Sequence, residues 1–424
     1  MVSLRQDMEA PPAGVAPLEP DGTQHLQWRV YILCGLVAFL DGFDTQSIGP
    51  AADAIAASIG MDIKDFGPVF SASQIGFLIG AVIFSALGDR FGRKRMLVAG
   101  TLVIAFSSLG TAYAGSYNEL LAIRMLAGIG LGGVTPNFIS LASEFAPPAR
   151  RTRVVTMLWA AVPIGGMMGS FVSSFTLSQF GWQAIFYLGG AAPLLLVPVL
   201  VFMLPESREV QRGANDRSAP PLRVAPIEAL FGEGRGLATL WLWLASWMTW
   251  LLLVVIGVWT PSLLQQAGWT TPMAASMLGL LNAGGVAGTF LIGVALRFVP
   301  AQRALMLALM AAAASIVMLG TFAHSFAAVA VAASLAGFFS SAAGGSLLAL
   351  SASLYPERVR ATGVGWSLGF ARTGAVLGPI CVGWLVGLQW STASIYSAIA
   401  LPGLLATVLV FLLSRTSTFR AAIK

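Results

Sequence analysis

The sequence predicts an all-α membrane protein of twelve transmembrane helices arranged as two pseudo-symmetric six-helix bundles, and three observations carry that prediction. Of the 424 residues, 57% are apolar and only 10% charged, with a mean hydropathy of +0.80. Soluble domains carry about 25% charged residues, and a chain with far fewer cannot cover a water-facing surface. Apolar stretches of the roughly 20 residues needed to cross about 30 Å of hydrocarbon recur twelve times, with one long polar break near the middle. Finally, a shift of 210 residues lays 28–204 onto 238–414, and Phe145, Arg150 and Thr152 then fall on Tyr355, Arg360 and Thr362. Matching halves of six spans, with a site between them at mid-membrane, are the plan of a secondary transporter.

Along the chain, residues 1–27 are rich in Pro and acids and lack an apolar core, so they read as a polar tail and not a cleaved leader. Span 1 (28–52) holds Asp41 and Asp44 near its centre, three residues apart and so on one helical face. An ionised Asp at that depth costs roughly 2.5–3.5 kcal/mol. Two such groups a turn apart repel and titrate as a coupled pair, which is what a proton carrier needs; the alternative is a static polar helix contact. Span 2 (66–87) carries Gln74, a candidate ligand contact, and ends in the basic run Arg90, Arg93, Lys94, Arg95 before span 3 (96–114). Span 4 (119–145) holds Arg124 a few residues from its outer end, within geometric reach of Asp44, and Glu144 at its inner end. Span 5 (154–178) contributes Trp159, a candidate ligand contact, and the kink-prone run Pro163-Ile-Gly-Gly166. Span 6 (182–204) closes the first half.

Residues 205–237, with Pro205, Pro220, Pro221, Pro226 and mixed charges, form the linker. Span 7 (238–265) bears Trp241 and Trp243, placed as interfacial belt residues, and Trp250 at the depth of the span 1 acids. Span 8 (272–296) carries Asn282 at the same depth. Spans 9 (304–322) and 10 (325–354) flank His324, a loop residue. Span 11 (361–388) holds Arg372, with Phe370 beside it, and span 12 (391–414) leads to a short tail, 415–424. Arg372 has no acidic partner at mid-depth in its own half. A buried unpaired guanidinium is expensive, so its counter-ion is Asp41 or Asp44 across the cavity, or a bound carboxylate, which its planar fork fits. Trp250 and Phe370 offer faces for stacking a ring, and Asn282 an amide for a ring hydroxyl; packing roles are the rival reading.

The remaining composition sets topology and excludes other classes. With the N-terminus placed in the cytoplasm, all basic residues except Lys64, Arg124 and Arg372 lie on the cytoplasmic side, as the positive-inside rule requires. The pI near 9.7 therefore reports topology and not nucleic-acid binding. Cys34 and Cys381 sit in apolar runs and the two histidines, His25 and His324, are far apart, so no disulfide framework, metal site or cofactor is expected. No catalytic dyad or nucleotide loop points to an enzyme.

The run Leu87-Gly88-Asp89-Arg90-Phe91-Gly92-Arg93-Lys94-Arg95 resembles the signature loop of the major facilitator superfamily, and Arg124-x-x-x-Gly128-x-Gly130-x-Gly132-Gly133 its second signature. Asp41-Gly42-Phe43-Asp44-x-x-x-x-Gly49 resembles the aromatic acid:proton symporter family within it. Two departures stand out: Ser85 replaces the loop's leading glycine, and the echo after span 8, Gly293 to Arg303, has no acidic residue. The resemblance implies the major facilitator fold, a charge relation between Arg124 and Asp44, and a cytoplasmic gate in which Asp89 and Arg93 engage Glu144. It further implies import of a small aromatic carboxylate, hydroxybenzoate-like, with protons as the coupling ion, by a monomer in a bacterial-type inner membrane with both termini cytoplasmic. Export, or carriage of another small organic anion, is the alternative, because span architecture does not encode direction.

Overall fold

The computed structural model describes residues 20–147, 150–207, 228–232, 234–417 and 419. Among them, twelve helices are long and apolar enough to cross a membrane. They are α1 (Pro20–Ile59), α2 (Phe66–Phe91), α3 (Arg93–Ala112), α4 (Tyr117–Phe145), α5 (Arg151–Phe180), α6 (Gln183–Met203), α7 (Gly236–Gln266), α8 (Thr271–Ala295), α9 (Ala301–Thr321), α10 (Phe326–Leu354), α11 (Glu357–Gly387) and α12 (Thr392–Arg415). A 3-10 turn (Ile63–Asp65) precedes α2, and a single helical turn (Glu228–Phe231) precedes α7.

Two expectations about boundaries need correction. The first helix starts at Pro20, inside the expected tail 1–27, and runs on to Ile59. Nothing breaks it before Gly60, whose positive φ of 69° and the bond from Met61 N–H to the Ala56 carbonyl form a left-handed helix stop. The basic loop Leu87–Arg95 is hardly a loop. Helix α2 continues to Phe91, α3 starts at Arg93, and Gly92 alone (φ 110°) makes the corner. Of the linker 205–237, residues 208–227 and 233 lie outside the described residues, as do 1–19 and most of 415–424.

The 210-residue repeat is visible in the packing. Within the first half α2 packs along α4, α3 along α4, and α3 along α6; in the second, α8 packs along α10, α9 along α10, and α9 along α12. Serine caps recur too: Ser116 accepts from Glu119 N–H at the start of α4, and Ser325 from Ala328 N–H at the start of α10. Small residues let backbones touch. A Cβ on Gly42 would lie 1.8 Å from the Val162 carbonyl oxygen, so α1 and α5 meet main chain to main chain beside the span 1 acids.

The apolar core is divided unevenly. At the end bearing the α1–α2 and α7–α8 connections, one cluster runs through both halves, joining Ile48, Ile55 and Phe70 to Trp259, Leu263 and Leu281. At the end bearing the α2–α3 and α4–α5 connections there are two. Val37, Leu97, Phe138 and Leu200 form one in the first half; Leu242, Leu309, Leu347 and Leu413 form the other in the second. The halves are thus joined at one end and separate at the other, with α2 against α11 and α5 against α8 as the main seams. Ser71 donates to the Val376 carbonyl (2.6 Å) across the first seam, and Ser174 to the Pro272 carbonyl (2.8 Å) across the second.

Candidate functional site

Above the point where the seams part, α1 brings its two acids to different partners. The Asp41 carboxylate is 6% exposed and accepts hydrogen bonds from Thr135 of α4 (3.1 Å) and from Thr45 one turn on (3.4 Å). Asp44 faces Arg124 of α4 at 3.5 Å, with both side chains 2% exposed. Neither Asp44 oxygen, nor Nε and Nη2 of Arg124, has a hydrogen bond among the described residues. Such a pair keeps the Coulombic attraction without the bonds that offset desolvation. Arg124 also lies over the Phe186 ring, 5.6 Å from its centroid.

Arg372 of α11 is held differently. Its guanidinium carbon sits 3.9 Å from the Phe77 ring centroid and 4.2 Å from that of Trp250. One ring comes from each half: Phe77 from α2, Trp250 from α7. Among the described residues Arg372 has no ion pair or hydrogen bond, and Asp41 acts on its charge from beyond ion-pair distance. Asn282 of α8 accepts from Gln46 of α1 (3.2 Å), a second link between halves, and donates to the Leu278 carbonyl (2.9 Å). The Gln74 side-chain oxygen is buried without a partner.

Asp41, Asp44, Arg124, Arg372 and Trp250 therefore lie together, and Asn282 reaches α1 through Gln46. Phe370 and Trp159 do not join them. Phe370 stacks on Trp243 (5.5 Å, 29°), which also stacks on Trp366 (6.2 Å, 13°). Two residues from Arg372 on one helix means roughly 200° of rotation, so the neighbouring position falls on another face. Trp159 is half-buried on α5 with no ring contact or hydrogen bond to the rest. Two members were missed. Phe77 lies three residues after Gln74, on the same face of α2, and that spacing could have found it; Gln46 had no such signal.

At the separated end, Arg93 pairs with Glu144, and with Asp89 at 3.4 Å. The first linker residues complete this cluster. Ser207 donates to both Glu144 oxygens (2.9 and 2.8 Å), and Glu206 accepts from Lys94 N–H (3.0 Å) at the exposed start of α3.

The arrangement offers buried acids, a half-caged cation and polar groups that bridge two bundles, with no nucleophile–base pair among them. Residues 34–322 match the Major Facilitator Superfamily. The chain is 36% identical over 382 residues to the 3-(3-hydroxy-phenyl)propionate transporter of Escherichia coli, covering 90% of this chain and 92% of that one. It is 34% identical over 423 residues to the 4-hydroxybenzoate transporter PcaK of Pseudomonas aeruginosa, covering 93% of each. Its fold is similar to that of the D-xylose-proton symporter, with a TM-score of 0.76 at 17% identity over 91% of this chain and 97% of that one. With twelve spans in two repeated halves and charges gathered between them, the chain is a membrane transporter, not an enzyme, and belongs to the Major Facilitator Superfamily, among its aromatic acid transporters.

Proposed function

We propose that this protein imports a small aromatic carboxylate together with protons by alternating access, in the inner membrane and with both termini cytoplasmic. The observation that carries this reading is Arg372, placed over one ring from each half and lacking a carboxylate of its own within ion-pair distance. A guest anion satisfies it, and Trp250 and Phe77 supply the apolar surroundings a benzene ring requires. The relatives' names support the substrate class. The basic α2–α3 and α4–α5 connections support placing the separated end in the cytoplasm, so this is an inward-facing form.

A monoanion entering a negative-inside cell works against about 2.3 kcal/mol per 100 mV. One accompanying proton cancels that cost, and a second makes accumulation driven by the potential. Asp41, beside Arg372, and Asp44, paired with Arg124, are the carriers in this scheme. Protonating Asp44 removes the charge that holds Arg124, and the bound carboxylate takes over Arg372 from Asp41. The loaded protein then holds one net positive charge between its halves, as entry driven by the potential requires, and can rock. The empty one balances its charges internally and returns.

Uptake of labelled 4-hydroxybenzoate into proteoliposomes, with and without an inside-alkaline gradient, tests the scheme. Wild type is expected to accumulate substrate only with the gradient, and Asp44→Asn and Arg372→Ala to lose accumulation. Gradient-independent uptake by wild type, or full accumulation by both variants, overturns it.

A further inference from the structure

Asp53, a further acid in α1, plays no part in this scheme. It lies nine residues beyond Asp44, where α1 meets α7 within the joined end. The two helices touch at Gly49, where a Cβ would stand 2.9 Å from the Val258 carbonyl oxygen. Both run in the same direction, so one further turn along each brings Asp53 and Ser262 to the same level of the α1–α7 contact. The Ser262 and Thr260 side chains are fully buried, and neither hydroxyl has a hydrogen bond; Oδ2 of Asp53 is likewise buried and unpartnered. Thr260 is backed by Tyr396 of α12, whose hydroxyl reaches the Thr260 carbonyl.

Among the described residues, no ion pair reaches this carboxyl. Arg124 of α4 is engaged by Asp44, and Lys64 by Asp62 at 2.7 Å in the 3-10 turn. Asp53 is partly buried, with Oδ2 the enclosed atom; an ionised carboxylate with an enclosed, unpartnered oxygen pays desolvation that nothing returns, whereas a carboxylic acid can donate to a neighbouring hydroxyl.

We propose that Asp53 is a proton-binding site of the outer gate, distinct from the carrier pair, whose protonation licenses closure of α1 against α7. When the outer end is open the carboxyl is wet and equilibrates with the external medium. Closure encloses it and therefore takes up one proton from outside. Because Asp53 stays within the closed outer end while the inner end is open, that proton leaves by the side it entered. The site makes closure sensitive to external pH and adds nothing to the number of protons carried per substrate. The proposal rests on the importer reading for which side is outside; the pH-linked closure itself does not.

The test places spin labels at Asn118→Cys and His324→Cys, exposed positions on opposite halves at the joined end, in full-length protein carrying Cys381→Ser and reconstituted in nanodiscs without substrate. The inter-label distance is measured from about pH 8 down to about pH 5, a window spanning the range of perturbed carboxyls. Wild type and Asp41→Asn are expected to move toward the short distance on acidification. Asp53→Asn is expected to hold the short distance throughout, and Asp53→Glu to restore the titration, while the proton-to-substrate ratio of Asp53→Asn matches wild type. An Asp53→Asn variant that titrates like wild type, a wild type that does not titrate, or an altered ratio overturns the proposal. Loss of gradient-driven uptake by wild type with the Asp53-dependent shift intact would remove the symport reading and leave this one standing.

Discussion

At the scale of single residues, the site separates two jobs that a carboxylate transporter has to perform. Arg124 is tied to Asp44 within one half, so its charge is already engaged, and in the proposed scheme that pair is the switch. Arg372 is caged by rings and not by a carboxylate, so its charge is available to a guest. A lysine keeps the charge but loses both the planar fork and the stacking. Arg372→Lys is therefore expected to bind substrate about tenfold more weakly, equivalent to about 1.4 kcal/mol, while folding normally; equilibrium binding on purified protein checks this. Arg124→Gln should instead spare binding and abolish gradient-driven accumulation, because the partner of Asp44 is gone. Most of these residues were legible in the sequence because charge inside an apolar span is costly and so conspicuous. Gln46 was not, and Phe77 only through its spacing from Gln74: an aromatic or amide among many apolar residues carries no such penalty, and the folded arrangement shows which of them touches the cation or the opposite half.

At the scale of elements, helix existence was legible throughout, since length and hydropathy suffice, but helix ends were not. The α2–α3 corner shrinks to one residue because Gly92 adopts a conformation closed to other residues, and Glu206 from beyond α6 then accepts from the start of α3. That partner is 112 residues from Lys94, and no local pattern announces it. The α1–α5 seam makes a sharper prediction. Gly42→Val drives a branched side chain into the Val162 carbonyl, and overpacking of this kind costs about 3 kcal/mol. Gly35→Ala, on the same helix, meets only the Leu158 side chain at 3.9 Å and should be neutral. Thermal unfolding in detergent, followed by size-exclusion fluorescence, should show a lowered transition for the first variant and an unchanged one for the second.

At the scale of the whole molecule, the repeat read from the sequence returns as repeated helix pairings, whereas the uneven core could not be read from it. Which end is closed depends on how the halves tilt against each other, and no local pattern of residues encodes that tilt. Since Ser174 and Pro272 face each other across the joined end, a short bifunctional thiol cross-linker between Ser174→Cys and Pro272→Cys is expected to stop uptake altogether. Binding from the separated end should survive the cross-link, within about twofold of the uncross-linked protein. Unimpaired uptake after complete cross-linking would mean that the joined end does not have to open.

The cage around Arg372 has a consequence for the shape of what is carried. Two ring centroids lie within 4.2 Å of the guanidinium carbon, so the N–H rim is the part of the cation that a guest carboxylate meets. A carboxylate meeting that rim squarely lies in the plane of the cation, and a guest whose ring is conjugated to its carboxylate is then laid flat along the slot the two rings define. A guest with a saturated tether has to twist its ring out of that slot. Competition between benzoates and phenylpropionates of matched hydroxylation should therefore favour the flat molecules, and Phe77→Ala should narrow the difference by opening one wall of the slot.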